Sequence, residues 1–498
     1  MSVVIASRVA SAAALRRAST SRPHGWRGIL PFVAVTVLAR VLILRLPLTP
    51  DEGGYLLAAS QWHHGASTYG AYFVDRPPLL MAVFALADSL GGALALRLIG
   101  VLAAALAVAI AGRIGGRYAA AAAALFLITP GFGTTNVDGE LLALPLVLGG
   151  LYALVIAFAP TTCRPYRAAF GAGVLAMGAF LVKQDMVDVF LAAASAGVVS
   201  AFRRGRGQAV RVVAAFAAAA VLTGCTAIGL AWMRGTSPSH LWDALVTFRV
   251  EAGSVISAEG AAAGGTAERL HGMLWALGLS GAPLVALAAL LAAGRPVLRR
   301  ACDRPSGFDL RWLALPVLGW ETVGVLLGGS YWLHYLIALI PGLVLLLAAV
   351  PAGRPGWRNR RWVLGALIVA GLSTAVAFTH LLMHPSSLRA DAQVSAYLSA
   401  HRSQGDTAVV GFGHPNIVYA AGMMSPYEHL WSLSARVRDP HLTALTALMS
   451  GPQAPRWIVV AGASLGTWGV DATVADEVMH RSYRLATTAG GWEIFEHW

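Results

Sequence analysis

The residues best suited to chemistry lie in short polar segments that separate long apolar runs. Acids dominate the first segments, and later ones add a lysine, a histidine and a tyrosine. These residues are Asp51, Glu52, Asp75, Arg76, Asn136, Asp138, Glu140, Lys183, Gln184, Asp185, His334 and Tyr335. Chemistry on a lipid phosphate needs such a set, because cations must hold the leaving phosphate and a carboxylate must take a proton from the attacking hydroxyl.

Each of these residues alone also has a structural interpretation. Asp51 and Asp138 could cap helices, and Arg76 could anchor the chain at the membrane interface. His334 could belong to an aromatic belt with its tyrosine neighbour. Lys183 is harder to explain in this way, because it is the only lysine among 37 basic residues. Unless it is an accident of substitution, its presence indicates that a compact ammonium charge is needed there.

The elements that must position these residues are membrane helices. Of the 498 residues, 57% are hydrophobic and only 12% are charged, and the mean hydropathy is +0.64. Soluble proteins carry about 25% charged residues, so the composition excludes a soluble enzyme, a disordered protein and a fibrous protein. Eleven apolar runs are long enough to span a bilayer. They are 29–48, 93–112, 118–134, 141–159, 168–183, 186–202, 210–232, 271–294, 312–329, 332–351 and 362–382.

The arginines predict how these spans are oriented. Residues 1–28 carry five arginines and no acid, which places this end in the cytoplasm. Counted from there, the cytoplasmic segments hold 22 arginines against two acids, Asp303 and Asp309. The net charge of +13 is therefore orientation charge rather than a nucleic-acid footprint. The candidate residues then fall at the outer face of a bacterial plasma membrane.

Two further regions complete the predicted architecture. Residues 77–90 are apolar but too short to span, so we predict a helix lying in the outer interface. Residues 385–498 alternate amphipathic and apolar segments, which predicts a small extracytoplasmic α/β domain after an all-α polytopic membrane domain at 29–384. Its predicted strands are 407–413 and 456–462, and its predicted helices are 386–403, 439–449 and 471–480.

The order of the polar motifs resembles that of the GT-C superfamily of polytopic glycosyltransferases. The similarity is greatest to the branch of the protein O-mannosyltransferases and the lipid A aminoarabinose transferase, and it extends over residues 29–382. Residues 385–498 resemble, by pattern only, a domain appended in actinobacterial members. The matching motifs are Pro50-Asp51-Glu52, Arg76-Pro77-Pro78, Leu96-Arg97-Leu98, Asn136-Val137-Asp138, Lys183-Gln184, and His334-Tyr335 followed by Pro341.

The resemblance implies transfer of a sugar from a polyprenyl-phosphate donor to a hydroxyl of a protein, lipid or polysaccharide acceptor. It implies Asp51 as the general base, with Glu52 and Asp138 positioning the acceptor or sugar. Binding of the donor phosphate is implied for Arg76, Arg97, Lys183, His334 and Tyr335. Substrate positioning is implied for Tyr55, Asn136 and Gln184. No dedicated metal site stands out in the sequence, and a divalent cation near the outer acidic loops stays an open alternative.

Two other classes of function also stay open. A transporter or flippase of lipid-linked sugars could use the mid-span acid Glu321, but the chain shows no internal repeat and its polar residues gather at one face. A non-catalytic assembly protein could bind polyprenyl phosphate, but an intact Asp51 argues against it. Convergence of Asp51, Asp138, Lys183 and His334 on one cavity would favour the transferase.

The arginine pattern makes a prediction about topology. A reporter enzyme fused after Trp498 should be active outside the cell, and one fused at Gly356 should be active in the cytoplasm. The physical reason is that arginine-rich segments resist translocation. A cytoplasmic signal from the fusion after Trp498 would rule out the outer-face site.

Overall fold

The computed structural model describes residues 25–159, 162–259, 264–294, 309–350, 357–384 and 388–498. Most of the predicted cytoplasmic segment 1–28, and parts of the later arginine-rich segments, lie outside the described residues. The helices of the membrane part are Leu30–Leu42, Pro50–Ser60, Pro78–Ser89, Ala93–Ile128, Gly139–Ala157, Pro165–Val182, Asp188–Arg204, Arg206–Met233, Pro238–Trp242, Phe248–Glu259, Gly264–Leu279, Ala282–Gly294, Arg311–Leu327, Ile340–Ala349 and Trp357–Met383.

These helices confirm the predicted all-α polytopic class. By length and composition, five helices of the described ranges can cross a membrane, or six if one bent pair forms a single span. That pair, Gly265–Leu279 and Ala282–Ala293, meets at 56° and divides the predicted span 271–294. The predicted span 332–351 begins with a tighter 3₁₀ segment, Leu333–Leu339. Several predicted spans thus contain shorter regular helices than their apolar runs.

The predicted spans 93–112 and 118–134 form one run of helix that reverses at Gly116. This residue has φ 71° and ψ −160°, which lies outside the helical region and favours glycine. A straight helix of this length would extend about 54 Å. Yet Arg97, near its start, donates a hydrogen bond of 2.9 Å to the Thr135 carbonyl beyond its end. The chain therefore doubles back, and both ends of the run reach the same side of the bundle.

The other side of the bundle collects arginines. Arg113 stacks on the ring of Trp26 at 5.5 Å, and Arg117 and Arg360 approach the ring of Tyr118 at 5.1 and 6.0 Å. These arginines belong to segments that the sequence predicts to be cytoplasmic. Because the chain reverses at Gly116, Arg113 and Arg117 lie at the end of the bundle opposite Arg97.

A capping box begins the helix Pro50–Ser60, which we call the Asp51 helix. Thr49 is the N-cap residue and Pro50 fills the first helical position, where its missing N–H costs nothing. The short helix predicted at 77–90 forms at Pro78–Ser89. Tyr55 packs edge-on against Phe84 of that helix, with ring centroids 5.3 Å apart. The two short helices thus pack against each other.

The C-terminal region forms the predicted α/β domain around a four-stranded sheet. Numbered β1 to β4 along the chain in the ranges given next, the strands lie in the order β1-β2-β4-β3. Strands β1 and β2 are parallel, and the other neighbouring pairs are antiparallel. The strands are Ala408–Gly411, Trp457–Val460, Tyr483–Ala489 and Trp492–His497, and the helices are Leu388–His401, Pro415–Ala420, Ser432–Arg438, Thr443–Met449 and Thr473–Ser482. The hairpin of β3 and β4 was not predicted, because exposed positions interrupt the apolar pattern of β3.

The α/β domain packs directly onto the Asp51 helix. Its helix Pro415–Ala420, which we call the docking helix, lies against Gly53 and Gly54. A Cβ atom at Gly53 would collide with the main chain of Asn416, and one at Gly54 would collide with Trp431 and Pro415. The two glycines therefore permit an approach that no larger residue allows.

Replacing Gly53 with alanine should loosen the α/β domain from the Asp51 helix. Overpacking costs about 1–3 kcal/mol, which exceeds the gain of about 1 kcal/mol in helix propensity. We expect a lower thermal midpoint in detergent and faster proteolysis of the region after Met383. Gly171→Ala is the control, because a methyl group there meets open space. An unchanged midpoint for Gly53→Ala would contradict this close contact.

Candidate active site

Glu52 is fully buried and ties three segments of the chain together. Its Oε2 accepts hydrogen bonds from the main-chain N–H and hydroxyl of Thr49, at 3.0 and 3.1 Å, and from Nη2 of Arg97 at 2.6 Å. Its Oε1 accepts a bond of 2.9 Å from the N–H of Val137. Both oxygens of Glu52 are thus engaged by donors of the protein, and the carboxylate joins the start of the Asp51 helix to Arg97 and to the loop before Asp138.

Two buried arginines hold the loop that precedes Asp138. Arg97 donates to the carbonyls of Thr135 and Pro47, at 2.9 and 3.2 Å, in addition to Glu52. Arg40 donates to the carbonyls of Thr134 and Asn136. Arg97, predicted to bind the donor phosphate or to support the acids, thus contacts an acid and main-chain carbonyls.

Asp138 lies beside a histidine and a second acid. Its Oδ1 caps the helix Gly139–Ala157 by accepting from the N–H of Leu141 at 3.1 Å. Its Oδ2 is buried, has no hydrogen-bond partner among the described residues, and lies 3.8 Å from Nδ1 of His334. The other ring nitrogen of His334 is 3.8 Å from Oε1 of Glu140. Asp138 is therefore a helix cap through Oδ1, while its Oδ2 is left beside His334.

Lys183 makes a direct ion pair with Glu140. Its ammonium also lies 4.4 Å from the centre of the Tyr335 ring and 3.5 Å from Oδ2 of Asp185. The lysine side chain is only 11% exposed. The single lysine of the chain is therefore buried at the candidate site, next to the acid and aromatic groups that the sequence placed in separate segments.

Asp138, Glu140 and His334 also form a possible metal site. One ligand atom from each lies within 4.8 Å of the other two. A histidine nitrogen with two carboxylate oxygens suits a divalent cation such as Zn²⁺, and the unpartnered Oδ2 of Asp138 is a fitting ligand atom. The ammonium of Lys183 competes for Glu140, so occupation by a cation requires this ion pair to open.

A second cluster surrounds Asp75. Its carboxylate pairs with Arg76 at 2.8 Å and with Arg249 at 2.7 Å. Burial opposes the ionisation of this acid, but the guanidinium groups of Arg249 and Arg76 outweigh it, so the pKa of Asp75 lies below its usual range. Gln184 donates to the Asp75 carbonyl at 3.3 Å, and Arg76 stands 5.9 Å from the ring centre of Tyr55.

Arg249 is a candidate site residue that sequence reasoning missed. It comes from the helix Phe248–Glu259, in a segment to which no motif was assigned. The available signal was its charge, because an arginine in a predicted outer segment runs against the distribution of the others. Such an exception indicates an anion nearby, and here that anion is Asp75.

Asp51 differs from the neighbouring acids in its contacts. Its Oδ1 accepts one hydrogen bond, from the indole N–H of Trp431 at 3.0 Å, and among the described residues it forms no ion pair. Asn136, predicted to position substrate, is placed differently: its side chain accepts from the hydroxyl of Thr135 at 3.1 Å. Asp51 thus contacts the C-terminal domain, whereas the Asn136 side chain bonds to a neighbour in its own loop.

The Asp138 cluster and the Asp75 cluster share one electrostatic environment. Burial and the adjacent Glu140 raise the pKa of Asp138, and the Asp51 carboxylate adds to this rise. The negative charges of Asp75 and Asp51 help to raise the pKa of Arg76 against the opposing effect of burial. The acids and cations predicted from four outer segments are thus neighbours at one end of the bundle.

Comparison with solved structures identifies the fold. ArnT from Cupriavidus metallidurans, solved with undecaprenyl phosphate bound, superposes with a TM-score of 0.61 at 15% identity and covers 94% of this chain and 97% of ArnT. Its apo structure gives 0.59 at 14% identity with the same coverage. Arabinofuranosyltransferase AftD from Mycobacteria gives 0.49 at 16% identity, over 95% of this chain and 40% of AftD. No family profile and no curated protein matches the sequence.

These likenesses show the fold of the chain. The chain has the same polytopic membrane fold as ArnT, with its small C-terminal domain included. The match covers nearly the whole length of both chains, so the membrane part and the C-terminal domain are both included.

Replacing Glu52 with glutamine should destabilise the protein. The change leaves the buried Arg97 without its counter-charge, and breaking a buried ion pair from one side costs about 3–5 kcal/mol. We expect a marked fall in the thermal midpoint of the purified protein. The neutral Asp51→Asn variant serves as the control, because Asp51 makes no ion pair in the part of the chain that the structure describes. Equal midpoints for the two variants would contradict the organising role of Glu52.

Proposed function

We propose that this chain is a glycosyltransferase that moves a sugar from a polyprenyl-phosphate donor to an acceptor hydroxyl, with Asp51 as the general base. The observation that carries the proposal is the arrangement at the outer end of the bundle. There, Asp51, an acid that forms no ion pair within the described ranges, lies near cations that are paired with carboxylates. The binding of undecaprenyl phosphate by ArnT, which has the same fold, supports a lipid phosphate as the ligand of those cations.

The choice of Asp51 as the base follows from the contacts of the three candidate acids. Glu52 uses both oxygens within the protein. Asp138 uses one oxygen as a helix cap and holds the other near His334. Asp51 keeps a carboxylate oxygen that makes no hydrogen bond among the described residues, and it lies next to the arginine cluster. A general base needs such an available oxygen within reach of the acceptor.

We assign the phosphate-binding role to Arg76 and Arg249, assisted by Lys183. Both guanidinium groups already form ion pairs with the Asp75 carboxylate, and a phosphate oxygen could accept from the same N–H groups. Lys183 adds a compact positive charge beside Tyr335. His334 stands next to Glu140, close to this lysine. Because carboxylate partners already hold the side chains of Arg76, Arg249 and Lys183, little reorganisation is needed when an anion arrives.

The proposed step balances in atoms and charge. The acceptor oxygen forms a bond to the anomeric carbon of the sugar as its proton passes to the Asp51 carboxylate. The bond between that carbon and the donor phosphate oxygen breaks at the same time. The polyprenyl phosphate leaves with the bonding electrons, and Arg76, Arg249 and Lys183 stabilise the added negative charge.

The proposed sidedness rests on the charges of the two ends. The acids and the α/β domain lie at one end, and Arg113, Arg117 and Arg360 lie at the other. The positive-inside rule then places the site at the outer face of the membrane. We propose a bacterial plasma membrane as the location, with an extracytoplasmic α/β domain and a cytoplasmic N-terminus.

A divalent cation is a further element of the proposal. Asp138, Glu140 and His334 would hold it, and it would supply positive charge near the leaving phosphate. In its absence, Lys183 provides that charge through its position beside Glu140. The cation and the ammonium are therefore alternatives at the same acid.

The alternative function of a transporter or flippase rested on Glu321. This acid accepts a hydrogen bond of 2.8 Å from the N–H of Gly342, at the start of the helix Ile340–Ala349. The contact gives Glu321 a structural role between two helices. We therefore keep the transferase as the proposed function.

Replacing Asp51 with asparagine should abolish most of the turnover. The purified protein is incubated with a panel of polyprenyl-phosphate sugars and hydroxyl acceptors, and consumption of each donor is followed. With the donor that the wild type uses, we expect Asp51→Asn to lower kcat about 100- to 10,000-fold, because general-base help is lost. Donor binding should persist, since asparagine keeps an oxygen for the Trp431 bond.

The matched control is Asp88→Asn. Asp88 also contacts the α/β domain, through a hydrogen bond of 3.2 Å from the hydroxyl of Tyr419, but it belongs to neither cluster. Its neutral variant should turn over normally. Full turnover by folded Asp51→Asn would mean that another acid is the general base. Transport of the donor without consumption would support a flippase instead.

A further inference from the structure

The α/β domain reaches the candidate site through a continuous stretch, residues 425–438, which we call the docking segment. The hydroxyl of Tyr72 donates to the Ser425 carbonyl and accepts from the Ser425 N–H, both at 3.0 Å. The N–H of Phe73 donates to the Glu428 carbonyl at 3.3 Å. The start of the docking segment is therefore fastened to the first outer loop, just before Asp75.

The far end of the docking segment holds the helix that carries Arg249. Arg438 pairs with Asp243 at 2.8 Å and with Glu251 at 3.3 Å. Its guanidinium also lies 5.8 Å from the ring centres of Phe73 and Phe248. The segment thus bridges the loop before Asp75 and the helix of Arg249, which supply the two sides of the proposed phosphate clamp.

Between these two attachments lies Trp431. Its indole N–H donates to Oδ1 of Asp51 at 3.0 Å, and its ring packs on that of Tyr55 with centroids 5.1 Å apart and an interplanar angle of 36°. The absence of a side chain at Gly54 leaves the space for the ring. The indole is therefore fixed on one side by Tyr55 and directed at a single carboxylate oxygen.

We propose that the α/β domain completes the active site and that Trp431 is the positioning residue of the general base. This inference rests on the proposed function, because it gives Trp431 its effect through Asp51. A single hydrogen bond to Oδ1 fixes the rotation of the carboxylate and leaves Oδ2 for the acceptor proton. Without the bond, the side chain can turn between several rotamers, of which only some face the acceptor.

The location of Trp431 makes this coupling specific to the α/β domain. The indole and the carboxylate are separated by 380 residues, so the bond forms only when the domain is docked. The same docking brings Arg438 to the Arg249 helix. Base and clamp are therefore assembled by one contact surface, and an undocked domain would leave both out of position.

The test uses Trp431→Phe in the full-length protein with the donor and acceptor that the wild type uses. Phenylalanine keeps a ring against Tyr55 but removes the N–H donor. We expect kcat to fall about 10- to 100-fold, which corresponds to the loss of one hydrogen bond to a charged group. The KM for the donor should stay within about twofold, since no phosphate-binding residue is changed.

A double-mutant cycle separates positioning from a general structural role. In the Asp51→Asn background, Trp431→Phe should have little further effect on kcat, because the group that it positions no longer acts as a base. A structural role would give the same fold-loss in both backgrounds. Trp457→Phe is the matched control, since the indole nitrogen of Trp457 is buried in the same domain without a partner among the described residues.

An isosteric variant covers the case in which Trp431→Phe fails to fold. Incorporation of benzothienylalanine at position 431 keeps the shape of the indole and replaces its N–H by sulfur. The same loss of kcat supports the proposal, and full activity overturns it. Additive losses in the cycle also overturn it. If Asp51→Asn itself retains full turnover, Asp51 is not the general base, and that part of the proposed function fails whatever the result at position 431.

Discussion

The buried ion pair of Glu52 and Arg97 is the interaction on which the rest of the site depends. It joins the start of the Asp51 helix, the helix Ala93–Ile128 and the loop before Asp138. Both proposed reacting segments are therefore fixed relative to each other by one carboxylate. A carboxylate buried this deeply is tolerated because N–H groups of Thr49, Arg97 and Val137 donate to both of its oxygens. The adjacent acid, Asp51, differs in that only one of its oxygens accepts a hydrogen bond among the described residues.

The cations of the site form ion pairs with acids. Arg76 and Arg249 grip Asp75, and Lys183 grips Glu140. Before substrate binds, these ion pairs offset the free-energy cost of holding several positive charges at the membrane, where an unpaired cation is unfavourable. A phosphate entering the site would replace or join these carboxylates without a large movement of the side chains. The arrangement thus explains how a charged headgroup could be received at the edge of an apolar bundle.

The α/β domain is an integral part of this arrangement. Residues of its docking helix and of its sheet belong to the same hydrophobic cluster as the membrane helices. A smaller cluster of Phe73, Ala244, Phe248 and Ala252 receives Leu433 and Val437 of the docking segment. These contacts unite the first outer loop, the Arg249 helix and the C-terminal domain. The outer end of the molecule is consequently one packed unit, built from segments far apart in the sequence.

The sequence by itself determined the membrane class, the polar segments and the alternation of strands and helices after residue 385. Composition, the arginine distribution and hydrophobic periodicity are local or additive properties, so they can be recognised without a structure. The order of the motifs also identified the acids, Arg76 and Lys183. The resemblance implied different roles for Asp51 and Glu52, but two adjacent acids give the same local signal, so the sequence could not show which groups each carboxylate contacts. Only the tertiary structure assigned their partners, from Arg97, Val137 and Trp431. Arg249 and Trp431 escaped prediction for the same physical reason: their importance lies in contacts across 174 and 380 residues, which no local pattern records.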